Sequence, residues 1–102
     1  MKIFNKLVRD NIPQIIKSRG ENAHTRILGD IEYKEQLDMK LQEEVKEYLE
    51  DDNIEELADI VEVIYAILEH KKVKLEEFEK VRIDKVQKRG AFNKKIFLEK
   101  TT

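Results

Sequence analysis

The chain has 102 residues, of which 40% are hydrophobic and 41% are charged, and its 20 basic and 22 acidic side chains give a formal net charge of −2. This length predicts one domain, residues 1–102, with a thin core. The near-neutral charge provides no general attraction to nucleic acid or to an anionic membrane. The absence of cysteine excludes disulfide frameworks, thiolate zinc sites and thiol nucleophiles. We therefore expect a soluble, uncleaved, cytoplasmic protein.

Abundant Glu, Lys, Leu and Ile, with only three Gly and one Pro, favour helix along almost the whole chain. Apolar spacing and capping residues predict four helices, at 13–19, 30–50, 54–70 and 75–89. Pro13 suits a first helical turn, and Gly20 and Gly90 are the predicted stops of the first and fourth helices. Asp30 and Asn53 are the predicted N-caps of the second and third helices.

The segments outside these helices carry two further expectations. A short extended piece is predicted over 25–28, in the loop before the second helix. The tail from Phe92 carries Ile96, Phe97 and Leu98, and we expect it to dock on the helices. The chain therefore predicts an all-α fold resembling a four-helix bundle, with a central antiparallel hairpin formed by the second and third helices.

The third predicted helix carries charge only at Asp59 and Glu62 within residues 57–68. Its wheel has two opposite apolar faces, one formed by Ile54, Leu57, Val61, Ile64 and Leu68 and the other by Val63, Ala66 and Ile67. Glu56 and Asp59 share the second face, where an unpaired carboxylate is strongly disfavoured. Two apolar faces on one helix also predict self-association, because the other three helices are too short to bury both faces within a single chain.

The second predicted helix places Glu44 and Glu47 at the edge of its apolar stripe, with the same i, i+3 spacing as Glu56 and Asp59. A short connection makes the two helices antiparallel neighbours, so that Glu47 comes level with Glu56 and Glu44 with Asp59. Two carboxylates about 4 Å apart repel by roughly 4 kcal/mol at an effective dielectric constant near 20. Four such groups require a cation, and oxygen ligands without Cys or His favour Mg²⁺, with Mn²⁺ as the alternative.

Each of these acids also has a structural explanation of its own. Charge-rich helices are commonly solvated, Glu47 can pair with nearby lysines, and Glu56 stands where the Glu of a capping box belongs. The convergence of two i, i+3 pairs across one hairpin favours the metal site over these explanations. Glu43 and Glu62 are further candidates, because Glu62 lies within about 60° of Asp59 on the wheel.

Basic residues near both ends of the chain are candidate ligands of substrate phosphate. They are Lys6 and Arg9 before the first predicted helix, and Lys85, Lys88 and Arg89 near the end of the fourth. Arginine suits this role because its planar fork matches two phosphate oxygens. The alternatives are a solvated basic stripe on the fourth helix, which is the preferred explanation for Arg82, and a local ion pair between Arg9 and Asp10.

The four acids lie in two motifs, Glu-Glu-Val-Lys-Glu at 43–47 and Glu-Leu-Ala-Asp at 56–59. Together they resemble the signature of the all-α nucleoside triphosphate pyrophosphohydrolases, the MazG-like and phosphoribosyl-ATP pyrophosphohydrolase superfamily. The segments 6–13 and 88–92 are similar to the flanks of a small single-domain branch, so the resemblance extends over nearly the whole chain. The sequence departs from this branch at Asn11, where Lys is common, and at Ala91, where Gly is common.

The resemblance implies a Mg²⁺-dependent enzyme that hydrolyses a nucleoside triphosphate to the monophosphate and pyrophosphate. Its metal ligands and catalytic residues would be Glu44, Glu47, Glu56 and Asp59. Such chemistry needs neither a covalent nucleophile nor a Walker loop, and the scattered glycines form no such loop. Two alternatives stay open: the phosphoribosyl-ATP step of histidine biosynthesis, and a non-enzymatic helical interaction module.

Overall fold

In the computed structural model, which describes residues 1–102, the chain forms four helices and no strand. They are α1 (Ile12–Ser18), α2 (Asp30–Asp51), α3 (Ile54–His70) and α4 (Leu75–Arg89). The predicted all-α class is therefore confirmed, as are the bounds of α3 and α4. The extended piece predicted over 25–28 does not form a strand.

Among the four helices only α3 has a side-chain N-cap hydrogen bond. Asn53 caps α3 as predicted, because its side-chain oxygen accepts a hydrogen bond of 3.1 Å from the backbone N–H of Glu56. Gly90 follows α4 with φ +83°, a left-handed conformation that favours glycine. The prediction of Asp30 as an N-cap is wrong: Gly29 is the N-cap, and Asp30 is the first helical residue. At that position its carboxylate still interacts favourably with the positive end of the helix dipole.

Helices α2 and α3 pack against each other as a hairpin across the connection Asp52–Asn53. The chain reverses at Asp52, which adopts the left-handed conformation and donates its backbone N–H to the carbonyl of Tyr48 at 2.8 Å. Leu37 on α2 and Val63 on α3 are the two buried hydrophobic side chains, exposed by 2% and 8%. The thin core therefore lies inside this hairpin.

The other two helices extend the molecule instead of closing a bundle within the single chain. Helix α4 packs only against α3, and α1 approaches no other helix closely. The radius of gyration is 18.1 Å, whereas a compact chain of this length has about 13 Å. No helix of the chain is both long enough and apolar enough to cross a membrane.

Apolar side chains remain exposed in every part of the chain, and two groups of them bear on the predictions. The expected docking of the C-terminal tail is wrong for the isolated chain, because Phe92 is 95% exposed and Phe97 87%. On α3, Ile54, Leu57 and Val61 are also exposed. Helix α2 therefore packs on the α3 face that carries Val63, while these three residues of the opposite face stay exposed.

Candidate metal centre

Three carboxylates meet at the α2–α3 hairpin. Glu44 reaches the site from α2, and Glu56 and Asp59 reach it from successive turns of α3. One carboxylate oxygen from each residue lies within 4.8 Å of the others. The short connection between α2 and α3 explains this convergence. It makes the two helices antiparallel neighbours and fixes which residues of α2 lie beside which residues of α3.

The burial of Glu44 distinguishes this acidic cluster from ordinary surface acids. Glu44 is only 6% exposed. Its Oε1 lies 3.3 Å from Nζ of Lys40, but its Oε2 is buried and has no hydrogen-bond partner. The Oε2 of Glu56 is likewise buried and unpartnered. Buried carboxylate oxygens without partners are strongly disfavoured, so the residues present fit a hard divalent cation.

The electrostatics of the site favour the same ligand. Desolvation raises the pKa of Glu44, and the charges of Glu47 and Asp59 raise it further, while Lys40 acts in the opposite direction. Desolvation also raises the pKa of Glu56, and the neighbouring acids add to this effect, with Glu47 the largest contributor. Both groups are therefore poorly accommodated as anions, and a bound cation would reverse this preference.

Glu47, the fourth predicted ligand, lies close to the acidic cluster but outside the group of three oxygens. Its charge contributes to the raised pKa of both Glu44 and Glu56, which places it within electrostatic range of the site. Its role as a ligand stays a prediction. Glu62, named as a further candidate, is exposed and does not join the cluster.

The segment before α1, residues 1–11, is called here the N-terminal arm, and two of its cations reach the hairpin. Nη2 of Arg9 lies 2.6 Å from Oδ1 of Asp59, and Nζ of Lys6 lies 2.8 Å from Oε1 of Glu43. Arg9 thus pairs with a candidate metal ligand and not with its neighbour Asp10. The hydrogen bond from Lys6 lowers the pKa of Glu43, which identifies Glu43 as an anchor for the arm.

Sequence reasoning missed Lys40, which lies between the arm and the acidic cluster. Its Nζ lies 3.4 Å from Oε2 of Glu43 and 3.3 Å from Oε1 of Glu44, and its side chain is only 17% exposed. The signal was present, because Lys40 precedes these acids by three and four residues on one helix face. It supplies a fixed positive charge beside the site.

The basic candidates of α4 are exposed and form no ion pair with the acidic cluster. Lys88 pairs with Asp84 at 3.0 Å within its own helix, and Lys85 and Arg89 form no ion pair. Their role as phosphate ligands stays a prediction. Arg82 pairs with Glu79 at 2.8 Å, as expected for a solvated residue.

Comparisons with known proteins add one partial match. The chain is 50% identical over 42 residues to an uncharacterized protein of Mycolicibacterium smegmatis, a match that covers 41% of this chain and 43% of that protein. The match spans less than half of either chain, and the name of the relative attributes no activity to it. No protein-family model matches the chain, and no solved structure matches it.

The raised pKa values of Glu44 and Glu56 predict an unusual pH dependence of metal-free stability. Both groups bind protons more tightly in the folded chain than in the unfolded chain, where their pKa is near 4.5. Stability should therefore rise as the pH falls from about 7 toward their raised pKa, and this gain should be complete below the unfolded pKa. The pKa of Glu43 is lowered, so its protonation should reduce the stability of the folded chain only below about pH 4.5.

The measurement is the urea midpoint at several pH values in the presence of a chelator. The affinity for Mn²⁺ should fall over the same pH range, because protons compete for the carboxylates. A urea midpoint that decreases steadily between about pH 7 and pH 5 would contradict the assignment of Glu44 and Glu56 as destabilised anions.

Proposed function

We propose that this protein is a Mg²⁺-dependent nucleoside triphosphate pyrophosphohydrolase of the MazG-like superfamily. It releases a nucleoside monophosphate and pyrophosphate in the cytoplasm, as housekeeping of the nucleotide pool. The observation that carries the proposal is the cluster of Glu44, Glu56 and Asp59, with its two buried oxygens that have no partner. These acids stand in the two motifs on which the resemblance to the superfamily rests.

The chain's own residues have distinct tasks in this proposal. Glu44, Glu56 and Asp59 hold Mg²⁺ or Mn²⁺, and Glu47 is the proposed fourth ligand on the same side of the hairpin. When bound, Mg²⁺ would neutralise the charge that develops on the leaving pyrophosphate and would activate a water molecule as the nucleophile. The proposed phosphate ligands are Arg9 of the N-terminal arm and Lys85, Lys88 and Arg89 of α4; Lys6, the other candidate of the arm, is paired with Glu43.

The burial of Glu44 supports a metal-dependent enzyme over a purely structural interaction module. An interaction module gains nothing from a carboxylate that is 6% exposed and has an unpartnered oxygen. A hydrophobic residue of similar volume at this position would stabilise the hairpin more. An acid at this position is therefore best explained by the binding of a cation.

We further propose that the protein acts as a homo-oligomer, a dimer or a tetramer. The accessible surface of the chain is 9809 Å², whereas a compact monomer of its mass has about 6,000 Å². The difference exceeds the roughly 800 Å² that each partner buries in a stable interface. A second copy is the proposed occupant of the exposed α3 face formed by Ile54, Leu57 and Val61.

The reaction products test the proposed function. Incubation with a panel of canonical and modified nucleoside triphosphates should release pyrophosphate and the monophosphate in equal amounts with Mg²⁺ or Mn²⁺, and nothing with a chelator. Phosphoribosyl-ATP belongs in the same panel, because preferential release of pyrophosphate from it would assign the histidine-biosynthesis reaction instead. Release of orthophosphate, or no turnover of any nucleotide, would refute the proposal.

A further inference from the structure

We propose that Arg9 is an exchangeable cation of the metal centre, bound to Asp59 before the metal ion arrives and released to the substrate phosphates once the ion occupies the site. The inference rests on the proposed function and deepens it, because it assigns an order of binding: metal ion first, nucleotide second. It concerns the N-terminal arm and its contacts with the hairpin.

The Arg9 contact combines a short distance with an accessible position. Nη2 of Arg9 lies 2.6 Å from Oδ1 of Asp59, one of the three clustered carboxylates, although the two residues are 50 positions apart in the chain. The Arg9 side chain is 56% exposed and that of Asp59 is 36% exposed. Ion pairs with this exposure are weak, so a divalent ion competes with Arg9 effectively for the same carboxylate.

Lys40 is a second cation of the cluster, but it cannot leave in the same way. It belongs to α2 itself, lies one helical turn before Glu44 and is largely buried. The three clustered carboxylates and Glu47 carry four negative charges, and Lys40 and Arg9 neutralise two of them, so the site still attracts a divalent ion. Arg9 and a divalent ion are attracted to the same Asp59 carboxylate, and two cations at one carboxylate repel each other, so arrival of the ion favours release of the exposed Arg9.

The released guanidinium stays near the metal centre because the arm has a separate anchor. Lys6 holds the arm through Glu43 at 2.8 Å, and Glu43 is not one of the three clustered carboxylates. A free guanidinium presents a planar fork of donors that matches two phosphate oxygens. Arg9 therefore exchanges its ion pair with the metal ligand Asp59 for a contact with the triphosphate beside the metal ion.

The test compares wild type with Arg9→Gln in two binding measurements. The first is calorimetric titration with Mn²⁺ alone, in which Arg9→Gln should bind about two- to five-fold more tightly, because a competing exposed ion pair is removed. The second is binding of a non-hydrolysable nucleoside triphosphate analogue at saturating Mn²⁺, in which the same variant should bind at least about ten-fold more weakly, because a charge-assisted contact is lost.

The matched control is Arg26→Gln. Arg26 forms an exposed pair with Glu32 through hydrogen bonds of 2.9 Å and 2.6 Å, and neither residue belongs to the acidic cluster. This variant should bind both Mn²⁺ and the analogue as wild type does. A third variant, Arg9→Lys, retains the charge but lacks the fork, so it should bind Mn²⁺ much as wild type does and bind the analogue more weakly.

Opposite shifts in the two affinities are the signature of the exchange. If Arg9→Gln weakens both affinities, Arg9 is a structural residue, and the proposal is overturned. Unchanged affinity for either ligand overturns it as well. If wild type binds no Mn²⁺, the metal centre and the exchange fail together. Opposite shifts in a protein that hydrolyses no triphosphate would support the exchange and refute only the proposed reaction.

Discussion

Replacement of Glu44 by Gln is expected to reduce pyrophosphate release by at least about 100-fold, since changes even to residues that only support metal ligands reduce activity by about 10- to 100-fold. Glutamine keeps the shape of the side chain but offers Mg²⁺ no negative charge. The buried position of Glu44 leaves little room for water to replace it as a ligand. The loss should appear in turnover and in Mn²⁺ affinity together.

The same substitution should leave the metal-free protein folded and more stable. Its neutral amide removes a carboxylate whose pKa is raised by desolvation and by neighbouring acids, and Lys40 keeps its contact with Glu43. Circular dichroism and urea unfolding in a chelator measure this effect. Gain of metal-free stability with loss of activity is expected of a ligand retained for function.

Glu50→Gln is the matched control, because Glu50 lies on the same helix, is exposed and forms no ion pair. It should retain wild-type turnover and stability. If Glu44→Gln retained turnover within a few-fold of wild type, Glu44 would not be a metal ligand. A non-enzymatic interaction module would show no turnover in wild type or in either variant.

Local patterns accounted for the helices and for most of the acidic cluster. The bounds of α3 follow from the Asn53 cap and the apolar spacing behind it, both of which act within a few residues. The hairpin follows from a connection too short for any other arrangement. Once those were fixed, the i, i+3 spacing placed Glu56 and Asp59 on one face of α3, and the antiparallel pairing brought Glu44 of α2 to them.

Apart from the Lys40 contacts, which helical spacing could have revealed, the contacts missed by the sequence analysis lie between residues that no local period relates. The Arg9–Asp59 pair joins an arm without helical periodicity to a helix 50 residues later. Glu47 shows a different difficulty, because its position on a helical wheel does not fix whether its carboxylate joins the three clustered oxygens. The tail shows a third difficulty, because its apolar residues do not fix whether it docks, and Phe92 stays 95% exposed.

Self-association through α3 is expected to be sensitive to a single charge. Light scattering at micromolar concentration should give wild type a mass that is a multiple of the 12.2 kDa chain. Val61 is 41% exposed in the isolated chain, and an unpaired carboxylate in a buried interface is strongly disfavoured. Val61→Glu should therefore shift the mass toward the monomer, while Glu62→Gln, next to it on the same helix, should retain the wild-type mass.

The metal centre should survive this dissociation, because all three clustered carboxylates belong to one hairpin. Monomeric Val61→Glu is thus expected to bind Mn²⁺ with nearly wild-type affinity. A monomer mass for wild type would refute the proposed oligomer without affecting the metal centre. Parallel loss of mass and of Mn²⁺ affinity in Val61→Glu would instead mean that the hairpin needs its partner to hold the carboxylates together, because the core formed by Leu37 and Val63 is too small to do so alone.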